Sequence, residues 1–171
     1  MAKETLVIAN QKIHPIVEFF EIDFECRNDR EFIDTAQTDR KILRSALSKS
    51  KGIYAFYNSE FEVIYVGKTK SNLWNEMKFA FNRRMDHYQR YQVQHPRSKY
   101  SEPSNGFVRT IRKKQFYLFD LATHFSAYAI EDDTLIDLIE LMMIRIMPND
   151  ILNVRMEGNT SLRAYSAEDV A

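Results

Sequence analysis

Between Lys51 and Gly67 two runs rich in Ile, Val, Tyr and Phe flank the polar turn Asn58-Ser59-Glu60. This is a hairpin pattern, and more than any other feature it commits the chain to an antiparallel sheet. A turn closed by an even loop pairs Asn58 with Phe61 and Tyr57 with Glu62, which sets Tyr54 opposite Tyr65 on one face. Residues paired in that way have Cβ atoms about 4.5 to 5.5 Å apart, so both phenols address one small volume. Gly67-Lys68-Thr69 then ends the second strand with a closely approachable backbone beside a cation, a combination that suits a phosphate oxygen.

Helices account for much of the rest. Asp29 to Leu47 carries Phe32, Ile33, Ala36, Ile42, Leu43, Ala46 and Leu47 at roughly helical spacing, after a strand expected over Pro15 to Cys26. Ser71 or Asn72 can cap a second helix whose stripe is Leu73, Trp74, Met77, Ala80, Phe81, Met85 and Tyr88. The polar stretch Tyr91 to Asn105, broken by Pro96 and Pro103, reads as a long basic loop, and Gln115 to Leu121 as another strand. A last helix opens at Asp133-Thr134 and is stopped by Pro148. Apolar on nearly every side, it is expected to be buried. Glu140 lies in its middle, where a lone carboxylate is costly and demands a cation, either an arginine or a metal.

The chain has 171 residues, 44% of them apolar, with only four Gly and four Pro, which fits one compact domain and excludes a fibrous or low-complexity chain. Its single cysteine, Cys26, cannot form an internal disulfide, so a reducing, cytoplasmic location is expected. No apolar run is long enough to read as a signal peptide or membrane anchor. The formal net charge is zero, yet it is strongly segregated. Lys78 to Lys114 holds ten basic residues against two acidic, and Gln115 to Ala171 holds three basic against ten acidic. Either the two blocks neutralise each other across the fold, or the first forms a phosphate-binding surface; the interleaved Phe79, Phe81, Tyr88, Tyr91 and Tyr100 favour nucleic acid.

Gly52-Ile53-Tyr54, ten residues, Tyr65-Val66-Gly67, an arginine-bearing helix and a late helical glutamate followed by an asparagine form a pattern that resembles the GIY-YIG endonuclease family. The likeness spans roughly Lys51 to Asn153, with Val66 where the second motif usually has isoleucine. It implies an α+β fold in which a small central antiparallel β-sheet is flanked by helices. The corresponding division is an N-terminal extension at 1–50 packed on a nuclease core at 51–157, with a tail at 158–171. It further implies metal-dependent hydrolysis of DNA phosphodiester bonds, with Glu140 binding Mg2+ (Mn2+ substituting), Tyr54 as general base, and Tyr65 with an arginine holding the scissile phosphate. That arginine is Arg84 in the preferred register, with Arg83 as the other option. Tyr88 or His87 would assist proton transfer, with Lys68 and Asn153 in support. Arg109, Arg112, Lys113 and Lys114, together with Lys68, are the expected contacts to DNA, double-stranded by expectation. Cutting both strands would call for a homodimer on DNA. The near absence of an attached domain leans towards a restriction or defence enzyme. The alternatives are a non-catalytic nucleic-acid-binding module that keeps the fold, and a protein-protein role for the acidic block. No Walker loop, GxGxxG or clustered histidine set points elsewhere: His87, His95 and His124 are scattered.

Overall fold

The computed structural model describes residues 6–8, 11–23, 26, 30–85, 117–147 and 151–153. The hairpin forms as β3 (Gly52–Tyr57) and β4 (Val63–Thr69). β1 (Leu6–Ile8) and β2 (Gln11–Glu21) precede it, and β5 (His124–Ile130) follows. The five strands make one antiparallel sheet in the order β1-β2-β5-β3-β4. Among the described residues three helices accompany the sheet in an α+β fold: α1 (Thr38–Ser48), α2 (Leu73–Asn82) and α3 (Asp133–Ile146). Among the described residues no helix is long and apolar enough to cross a membrane.

Alternation along β3 divides the core. Tyr54 and Phe56 point to the face covered by α1 and α2, where Phe32, Leu47, Leu73, Trp74, Met77, Phe81 and Phe125 join them. Ile53, Ala55 and Tyr57 point to the other face, against Ile136, Ile139 and Met143 of α3. Asn72 caps α2 by accepting from Asn75 N, and Asp132 caps α3 by accepting from Leu135 N.

Several expectations are corrected. The hairpin register is Tyr54 with Gly67 and Phe56 with Tyr65, two residues away from the pairing of Tyr54 with Tyr65. The loop is longer than an even turn: Asn58 N donates to Glu62 O, the Asn58 side chain accepts from the N–H groups of Glu60 and Glu62, and Phe61 takes a left-handed φ of 61°. A register shift between Phe56 and Tyr57 absorbs the rest. A two-residue shift preserves strand parity, so the two tyrosines still share a face.

The strand expected at Gln115–Leu121 is instead, where described, an isolated bridge at Tyr117 and a 3-10 turn over Leu118–Asp120. The strand that forms is β5, at the sheet's centre between β2 and β3. It carries the small residues Ser126, Ala127 and Ala129; Ala127 lies between Tyr54 and Val17, while Ser126 pairs with Ala55 and Ala129 lies between Gly52 and His14. The first helix starts at Thr38, leaving Phe32 and Ile33 buried ahead of it. α2 ends at Asn82 and Arg83 is already extended, short of the expected reach to Tyr88. Finally, α3 is not buried all round. Ile136 and Glu140 are buried, whereas Leu138, Leu141, Met142 and Ile146 face outwards; among the described elements α3 packs on one face of the sheet.

Candidate active site

β4 is an edge strand, and the site wraps around it at Gly67. Tyr54 reaches across from β3, and the space over Gly67 is what admits it: a methyl group there would coincide with the hydroxyl end of the Tyr54 ring. On its other side Tyr54 pairs with Ala127, another small residue. The Tyr65 ring stacks beside it, with centroids 6.2 Å apart and an interplanar angle of 29°.

From the same face, past the end of α2, comes Arg83. Its guanidinium carbon stands 5.7 Å from the centre of the Tyr65 ring. Arg83 lines the cleft and Arg84 does not. The reason is the early end of α2: once the chain turns extended at Arg83, adjacent side chains point to opposite sides, and Arg84 is exposed where its backbone bridges to Tyr117. The sequence register that favoured Arg84, with Phe81 three before it and Tyr88 four after, assumed a helix running on past Asn82, where α2 in fact ends.

α3 reaches the same cleft from the opposite face of the sheet. Glu140 is only 8% exposed, and its Oε2 lies 2.8 Å from Lys68 Nζ. Lys68 projects from β4 and also donates to Asp137 at 2.8 Å, while Lys70 donates to the other Asp137 oxygen at 2.7 Å. Burial lowers the Lys68 ammonium, but Asp137 and Glu140 outweigh it and hold the group above its ordinary range. The hydrogen bonds from Lys68 and Lys70 depress the Asp137 carboxyl. Asn153 closes the strand edge: its Oδ1 accepts from Val66 N at 2.9 Å and its amide donates back to Val66 O, as a neighbouring strand would.

The result is a cleft of about 350 Å³ lined by Tyr54, Tyr65, Gly67, Lys68, Arg83, Glu140 and Asn153, with Glu76, Phe79 and Ile144 beside them. Glu76 and Phe79 were not singled out as site residues in the sequence. Phe79 stands out only among the aromatics interleaved with basic residues, and nothing in the sequence marks Glu76 beyond its place off the apolar stripe of α2. Tyr88, His87, Arg109, Arg112, Lys113 and Lys114 lie outside the described residues.

The electrostatics are mixed. Burial pushes the Tyr54 phenol well above its ordinary value, Tyr65 and Glu76 push it further, and Arg83 pulls it back. Tyr65 is raised by burial too, with Arg83 opposing and Glu76 and Glu140 adding. The cation that the resemblance implies finds one suitable oxygen. Glu140 Oε2 is buried 2.8 Å from Lys68 Nζ, so a hard cation bound there would share the carboxylate with that ammonium. Among the described residues no group of three or more His, Cys, Asp or Glu surrounds such an ion. A single carboxylate completed by substrate oxygens and water is a usual arrangement for Mg2+.

No family model matches this chain, and no curated protein or solved structure matches it.

Proposed function

We propose that this chain is an endonuclease that hydrolyses DNA phosphodiester bonds, with Mg2+ as cofactor and chemistry of the GIY-YIG type. One observation carries the reading: two tyrosines, a lysine, an arginine and a buried glutamate from β3, β4, α3 and the end of α2 line a single cleft. The spacing of the hairpin motifs supports it independently.

Each side chain has a task that its position suits. Arg83 neutralises charge that builds on the non-bridging phosphate oxygens, and the Tyr65 hydroxyl beside it donates a hydrogen bond to one of them. Tyr54 takes the proton of the attacking water as that water closes on phosphorus. A buried phenol is a poor base at neutral pH, so Tyr54 depends on the positive field of Arg83, the only cation that lowers it in the described cleft. Lys68 holds α3 to β4 and thereby fixes Glu140 at the strand edge. Glu140 is the ligand for Mg2+, which when bound supplies Lewis-acid neutralisation of the phosphoryl and leaving oxygens.

Cleavage of a supercoiled plasmid and a mixed linear DNA pool in Mg2+ or Mn2+ tests the proposal, with Glu140→Ala purified in parallel. Cutting by the wild type that disappears in Glu140→Ala, with DNA binding kept, is the expected outcome, and discrete fragments would mark a restriction role. Salt-sensitive binding without Glu140-dependent cutting would overturn the nuclease in favour of a binding module.

A further inference from the structure

α2 buries Leu73, Trp74, Met77, Ala80 and Phe81 in the core and leaves one aromatic side chain out. Phe79 is 61% exposed, and it stands on the wall of the cleft. Ile144 of α3, half-buried, lines the same cleft. A single exposed apolar residue on a protein surface needs no explanation. An exposed aromatic ring and Ile144 in the lining of a cleft that Arg83, Lys68 and Glu140 also line do, because a phosphate group has no use for an apolar wall. The cleft lining therefore has charged residues, Arg83, Lys68 and Glu140, and apolar ones, Phe79 and Ile144.

We propose that Phe79 is a nucleobase-binding subsite, and that the base of a nucleotide adjoining the scissile phosphate stacks on its ring. The inference rests on the phosphodiesterase reading of the cleft and names its substrate more narrowly. Stacking on an exposed aromatic ring is tolerant of base identity, since every base offers a π face. A base inside an intact duplex stack cannot reach a side chain standing in a cleft. The nucleotide at the cut is therefore unstacked, whether displaced from a duplex or already single-stranded. Phe79 is a binding residue in this scheme: it takes no part in proton transfer, and its removal acts on KM more than on kcat.

The test is a cycle that pairs a change in the protein with a change in the DNA. The cut is first mapped on a short oligonucleotide with the wild type, Glu140→Ala serving as the control. The wild type, Phe79→Ala and Phe79→Trp then cleave that oligonucleotide and versions with a tetrahydrofuran abasic unit at each nucleotide flanking the cut. On intact DNA, Phe79→Ala is expected to raise KM about tenfold or more, while Phe79→Trp stays near the wild type. One of the abasic substrates should cost the wild type the same factor and Phe79→Ala almost nothing. A wild-type KM for Phe79→Ala, or two losses that simply multiply, would overturn the subsite while leaving the nuclease standing. Absence of any Glu140-dependent cut by the wild type would overturn both. Because the ring is largely exposed, Phe79→Ala should keep the wild-type melting temperature, which separates a lost contact from a lost fold.

Discussion

The sheet carries two tyrosine pairs, one on each face, and only one of them has the makings of a site. Tyr54 and Tyr65 face α2; Tyr57 and Tyr128 face the side of α3, with Ser126 between them on β5. All four phenols are raised above the ordinary value, with burial as the main cause. They part in what surrounds them. The first pair has Arg83, which lowers both phenols; the second has Glu18, which accepts the Tyr128 hydroxyl at 2.9 Å and raises both, relieved only by Ser126. A buried phenol is thus no sign of chemistry in itself. Both pairs have a carboxylate nearby, Glu76 at the first and Glu18 at the second, but only the first also has a guanidinium to draw a phosphodiester.

The largest effect that sharpens this contrast is removal of one oxygen atom from each pair. Tyr54→Phe should lower kcat by about 10²- to 10⁴-fold, the range for loss of a general base, with DNA binding and melting temperature little changed. Tyr128→Phe should leave cleavage as it was. Equal losses from both would break the comparison and would mean that the hydroxyls serve packing on either face.

Next comes the arginine. Arg83→Ala should cost about 10²- to 10³-fold in kcat/KM, as expected of a group that neutralises developing charge, and Arg84→Ala should cost little. The reverse ranking in a plasmid nicking assay would place the cation outside the cleft and strip the first pair of what distinguishes it from the second.

Strand parity made Tyr54 and Tyr65 legible in the sequence, because parity survives a two-residue error in register. Glu140 was legible because a carboxylate at a core position of an apolar helix is expensive to leave alone. Local chemistry hid the rest. The choice between Arg83 and Arg84 depended on where α2 stops, and nothing in Asn82-Arg83-Arg84-Met85 announces an end; Met85 is buried as a helical stripe would have it, yet from an extended backbone. β5 was hidden for the opposite reason. His124–Ile130 carries three small residues, Ser126, Ala127 and Ala129, whereas the more aromatic Gln115–Leu121 had the composition of a strand but forms, where described, a single bridge at Tyr117 and a 3-10 turn. Glu76 could not be read as part of the site at all until the cleft brought it opposite Tyr54 and Tyr65.

Glu76 gives the smallest and most specific of these effects. Its carboxylate raises both cleft phenols, in opposition to Arg83. The Tyr54 phenol titrates above the ordinary tyrosine value of about 10, so the phenolate fraction, and the rate if Tyr54 is the base, should climb about tenfold per pH unit from neutrality upwards. Replacing Glu76 by Gln removes a negative charge, stabilises the phenolate and moves that rising limb to lower pH. At a fixed pH of about 7.5 the variant should therefore be a few-fold faster than the wild type, by less than the roughly tenfold gain that would follow if the limb moved by a whole pH unit. A kcat profile from about pH 6 to about pH 10 under single-turnover conditions measures it. A uniform loss of rate with no displacement along the pH axis would show that Glu76 acts on the substrate or its water instead, and that Arg83 is opposed by burial and Tyr65 only.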